Sequence, residues 1–86
     1  MIRVLVAEDS RATREYLVYL LEQDRALHVV GSANDGAEAV DQAERLRPDV
    51  ILMDVLMPEL NGLETADRLA TRLPTTRILL DRKSVV

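Results

Sequence analysis

Four short apolar, β-branched runs alternate with three segments whose apolar residues recur at helical spacing. No other feature of the chain narrows its fold as far. The runs are Ile2 to Ala7 (IRVLVA), Leu27 to Ala33 (LHVVGSA), Asp49 to Val55 (DVILMDV) and Arg77 to Leu80 (RILL). After the first, Ser10 is suited to cap a helix, and Thr13, Leu17, Leu20 and Leu21 mark one face of that helix to about Asp24. Asn34-Asp35-Gly36 is turn chemistry. Asp35 with Glu38 three residues on makes a capping-box-like start for a helix carrying Ala39, Val40, Ala43 and Leu46, which ends before Pro48. Leu63, Ala66, Leu69, Ala70 and Leu73 mark a third helix stopped by Pro74. The order β-α-β-α-β-α-β predicts an α/β fold with a parallel sheet and right-handed crossovers. The Asp49–Val55 run is the most apolar and reads as a central strand covered on both faces. Gly31 puts the Leu27–Ala33 strand nearer an edge. With 86 residues and no internal linker, one domain over residues 1–86 is expected.

Composition removes several classes of function. Cysteine is absent, which excludes disulfides, thiolate metal sites and thiol nucleophiles. Fifteen acidic residues against eleven basic ones give a net charge of −4, a field that repels a phosphate backbone and argues against direct nucleic-acid binding. No apolar run approaches the ~18 residues of a membrane span and no secretory signal is visible, so a cytoplasmic location without membrane contact is expected. Aromatics are limited to Tyr16 and Tyr19, so the core must be built from Leu, Val, Ile and Ala.

Chemistry is expected beyond the carboxyl ends of the strands, where parallel sheets bind ligands. Two strands end in acids there, at Glu8-Asp9 and at Asp54. If those strands are neighbours, the carboxylates converge, and like charges that close resist full ionisation without a cation. An all-oxygen set of this kind suits Mg²⁺. Taken singly, each acid is equally readable as a solvated loop residue. His28 reads as an exposed strand residue, Met53 as core and Met57-Pro58 as a loop-shaping pair. Arg11 and Arg14 read as a solvated face, with docking of a kinase or other partner as their other use.

In order and spacing, Val4-Leu5-Val6-Ala7-Glu8-Asp9-Ser10, Asn34-Asp35-Gly36-x-Glu38-Ala39, Pro48-Asp49-Val50-Ile51-Leu52-Met53-Asp54 and Met57-Pro58-x-x-Asn61-Gly62 resemble the receiver domain of response regulators. The Asp-Ser pair looks most like receivers of the chemotaxis methylesterase type. The resemblance implies a flavodoxin-like, CheY-like fold, here with strand order 2-1-3-4. It also implies that Asp54 accepts a phosphoryl group from a histidine kinase. Asp9 and Asp54 would ligate Mg²⁺, Glu8 would act through water, and the backbone carbonyl of Leu56 would complete the protein ligands.

The chain departs from the family in its last part. The family's domain has five strand–helix units, and three and a half are read here, which is expected to reflect C-terminal truncation. The Ser or Thr that ends the family's fourth strand falls on Asp81, whose carboxylate would repel a phosphoryl anion. The family's fifth-strand Lys has no counterpart, although Lys83 is near in sequence. The fourth strand then becomes an edge with Ile78, Leu79 and Leu80 unprotected, and Leu17, Leu20 and Leu21 are partly bare. A homodimer through that edge or the first-helix face is expected. Two functions stand open: a Mg²⁺-dependent phosphoacceptor with an altered switch, or a receiver-derived dimerisation module with weak or no phosphorylation. An aspartate-nucleophile phosphatase fits poorly, since it wants an acid two residues after the nucleophile, where Leu56 stands.

Overall fold

The computed structural model describes residues 1–54 and 62–81. Its elements are β1 (Ile2–Ala7), α1 (Arg11–Glu22), β2 (Leu27–Ala33), α2 (Gly36–Leu46), β3 (Val50–Asp54), α3 (Gly62–Arg72) and β4 (Arg77–Asp81). The strands form one parallel sheet in the order β2-β1-β3-β4. The expected α/β fold and the strand order implied by the resemblance are both observed.

Local chemistry explains the element boundaries. Ser10 caps α1, its Oγ accepting the Thr13 N–H at 3.3 Å, and Asp35 caps α2, its Oδ1 accepting the Glu38 N–H at 2.8 Å. Only this forward half of the expected capping box is found. The Glu38 carboxylate instead accepts from Gln42 Nε2 at 3.0 Å, one turn further along the same helix. α1 stops at Glu22, two residues before the expected end, as Gln23 and Asp24 donate to Leu20 and Leu21 in a tighter closing turn. β3 begins one residue later than expected. Asp49 is occupied in clasping β1, its N–H donating to the Arg3 carbonyl at 2.9 Å and its carboxylate accepting the Arg3 N–H at 2.8 Å.

The two faces of the sheet are covered unequally. Leu5 and Ala7 of β1 and Ile51 and Met53 of β3 pack with Ala33 of β2, with Ala39, Val40 and Ala43 of α2, and with Leu69 of α3 and the following Leu73. This aliphatic core holds Met53, as expected. On the opposite face α1 lies against β1 and β2, where Val4 and Val6 are buried. The expectation that β3 is covered on both faces therefore needs correction. Ile51 and Met53 are buried, but Val50 and Leu52 are half-buried, since α1 sits over β1 and β2. α1 itself has no fully buried residue; Leu17 and Leu21 are half-buried and Leu20 is exposed. On β4, Leu79 and Leu80 are exposed as expected, whereas Ile78 is half-buried against the core. His28 is exposed, also as expected.

Gly31 positions the β2–α2 layer. The β1–β2 register shifts between Val4 and Leu5, so that Leu5 pairs with Gly31. A Cβ on Gly31 would lie 2.5 Å from Gln42 Oε1 and 2.9 Å from Leu46 Cδ1. Gln42 has little freedom to retreat, because its Nε2 donates to both the Ser32 carbonyl and Glu38. Gly31→Ala should therefore destabilise the fold by about 1–2 kcal/mol, the worth of a displaced hydrogen-bonding amide, despite alanine's lower backbone entropy. Urea unfolding with an unchanged slope and a lowered midpoint checks this.

Candidate functional site

β1 and β3 are neighbours in parallel register, with Ala7 opposite Met53. Both strands run in the same direction, so the residues that end them emerge side by side. Glu8 and Asp54 are each only 3% exposed, and Asp9 is half-buried. One carboxylate oxygen from each of the three lies within 4.8 Å of the other two. The convergence expected of neighbouring strands is thus observed, and burial of two of the acids sets them apart from ordinary solvated loop residues.

The β1–α1 junction aims this nest. The Glu8 N–H donates to the Ala33 carbonyl at 2.9 Å, extending the pairing with β2 one residue past the strand. Its side chain turns toward the start of α1, where Oε2 accepts the Ser10 N–H at 2.7 Å. A carboxylate there is favoured by the positive end of the helix dipole. Its main-chain carbonyl accepts from Arg14 Nη1 at 2.8 Å. Arg14 is half-buried, and reading it as solvated missed this contact. A signal was present, because α1 has no acid in its first turn and carries arginines where the dipole disfavours them.

A donor set of carboxylate oxygens fits a hard divalent cation. Oxygens lying within 4.8 Å of one another are close enough to serve one Mg²⁺, directly or through a bridging water. Of the other expected site residues, Leu56 lies outside the described residues, as do Met57, Pro58, Asn61 and Lys83. Asp81 ends β4, and its backbone is the register partner of Asp54.

The model of the response regulator receiver domain family matches residues 4–81. The chain is 48% identical over 79 residues to a protein-glutamate methylesterase/protein-glutamine glutaminase of Myxococcus xanthus, covering 92% of this chain and 22% of that protein. With the Thermotoga maritima protein of the same description, identity is 44% over 80 residues, covering 93% of this chain and 23% of that protein. The chain thus spans about a fifth of the length of these relatives. The crystal structure of the response regulator domain of Thermotoga maritima CheB superposes with a TM-score of 0.87 at 43% identity, over 95% of this chain and 60% of that one. The receiver domain of a NarL-type response regulator from Mycobacterium tuberculosis gives 0.89 at 36% identity, over 99% of this chain and 68% of that one. Matched along nearly its whole length in sequence and in fold, the chain belongs to the response regulator receiver domain family.

Proposed function

We propose that residues 1–86 act as one receiver unit whose Asp54 accepts a phosphoryl group from the phosphohistidine of a histidine kinase. The observation that carries this reading is the nest of Glu8, Asp9 and Asp54 at the ends of two adjacent strands. In the transfer, an Asp54 oxygen forms a bond to phosphorus while the donor's phosphorus–nitrogen bond breaks. The electron pair leaves with the imidazole, which takes up a proton, and an acyl phosphate remains. Asp9 and Asp54 would hold Mg²⁺ directly, Glu8 through water, and Leu56 by its carbonyl. The ion would offset charge as one anion approaches another. Glu8 stands where the family more often has Asp, and an extra methylene is tolerable in a ligand acting through water. The chain is a phosphoacceptor in this reading and turns over no ester. The test is incubation with a small acyl-phosphate donor, with and without Mg²⁺, read as a mass increase of one phosphoryl group. Labelling that needs Mg²⁺ supports the reading, and no labelling at any Mg²⁺ concentration overturns it.

A second reading is favoured by the β4 edge. No strand among the described residues pairs with its outer side. Leu79 shares its row with Leu52 and Val6, and Leu80 shares its row with Met53 and Ala7, so the two exposed leucines lie on opposite faces at one edge. Pairing of that edge with a second copy would cover both leucines together, at about 1.5–3 kcal/mol for each leucine fully buried. The chain is accordingly expected to sediment as a homodimer, and Leu79→Lys to shift it toward monomer. A folded wild-type monomer in dilute solution overturns this reading and leaves the phosphoacceptor reading untouched.

A further inference from the structure

We propose that Arg14 is a positioning residue for the cation site, holding the Glu8–Asp9 peptide in the orientation that fits Mg²⁺. The inference rests on the metal reading above. Its starting point is the contrast between two arginines in the opening of one helix. Arg11 is exposed and pairs with Glu15 one turn along, at 3.0 Å. Arg14 is half-buried and reaches back to the main chain of the site, its Nη1 2.8 Å from the Glu8 carbonyl oxygen. A cation so near a helix N-terminus opposes the helix dipole, so its placement runs against local preference.

The contact completes a frame around Glu8. The N–H is held by Ala33 at 2.9 Å, Oε2 by the Ser10 N–H at 2.7 Å, and the carbonyl by Arg14. That carbonyl belongs to the peptide joining Glu8 to Asp9. Fixing its plane fixes the backbone from which the Asp9 side chain departs. Mg²⁺ demands near-ideal octahedral geometry at about 2.1 Å, whereas Ca²⁺ accepts irregular geometry at roughly 2.3–2.6 Å. A frame that holds the peptide rigid therefore favours the smaller ion.

Electrostatics alone predicts the opposite result, which makes the proposal testable. Removing a nearby positive charge should tighten binding of any divalent cation. Loss of positioning should weaken Mg²⁺ and spare Ca²⁺. Calorimetric titration of the folded chain with Mg²⁺ alone and with Ca²⁺ alone distinguishes the two. Arg14→Met is expected to weaken Mg²⁺ about tenfold and Ca²⁺ less than about threefold, with Arg14→Lys recovering part of the loss. Arg11→Met, which removes the same charge from the exposed position, should leave both within about twofold. Mg²⁺ affinity unchanged or tighter in Arg14→Met, or equal losses for both ions, overturns the proposal. Should Arg14→Met fail to fold, Arg14→Lys carries the test, and no change in its Mg²⁺/Ca²⁺ preference overturns the proposal. A wild-type chain that binds no Mg²⁺ overturns the metal reading itself, before any variant is compared.

Discussion

Phosphoryl labelling by an acyl-phosphate donor should fall below about one-hundredth of the wild-type level when Asp54 is replaced by asparagine, a loss of more than ~2.7 kcal/mol in transition-state stabilisation. The substitution preserves shape and size but exchanges an anionic nucleophile for an amide. Asp54 is 3% exposed at the end of β3, so the replacement must fit a buried position, and asparagine does so without adding volume. The same variant should respond less to Mg²⁺. A ligand present at a hundred times its Kd stabilises a folded chain by about 2.7 kcal/mol, and removing one of the clustered carboxylates should reduce that gain. Intact-mass measurement checks the labelling and thermal unfolding with and without Mg²⁺ checks the binding. Undiminished labelling of Asp54→Asn would move the phosphoacceptor to another residue, with Asp9 the first to examine.

The fold was legible because its signals are local. β2 has the span read from its apolar run, Leu27–Ala33, and α1 and α2 begin directly after the capping residues read at Ser10 and Asp35. What the runs could not supply is the order of the strands, since pairing β1 with β3 is a long-range contact; that order came with the resemblance. The acids at strand ends were legible as residues, but their meeting depends on the same pairing. Arg14 was misread because charge in a helix ordinarily signifies solvent. Its fate depends on a carbonyl six residues earlier, which carries no side-chain signature. The uneven covering of β3 was hidden for a similar reason. Apolarity in Val50–Asp54 reports that the strand is central, not which neighbouring helix reaches across to it.

Asp81→Thr should raise the yield and lifetime of labelled chain about tenfold, equivalent to ~1.4 kcal/mol. Asp81 ends β4 as the register partner of Asp54, and adjacent strand backbones run about 4.8 Å apart. A phosphoryl group on Asp54 would bring further negative charge to the end of the sheet. Two unit charges 4 Å apart interact by about 4 kcal/mol at the effective dielectric of a protein surface, and salt and solvent reduce this further. The tenfold expectation corresponds to about a third of that reference value. A threonine at the same register position removes that charge and offers a hydroxyl donor, the group the family places at the end of its fourth strand. Asp81→Asn separates the contributions: if repulsion dominates, asparagine should recover most of the gain; if the hydroxyl matters, threonine should exceed it. Time-resolved intact-mass measurement after removal of the donor gives the lifetimes. Equal lifetimes in wild type and both variants would mean that residue 81 has no influence on the acyl phosphate. The altered-switch reading of this receiver would then fall, while the role of Asp54 would stand.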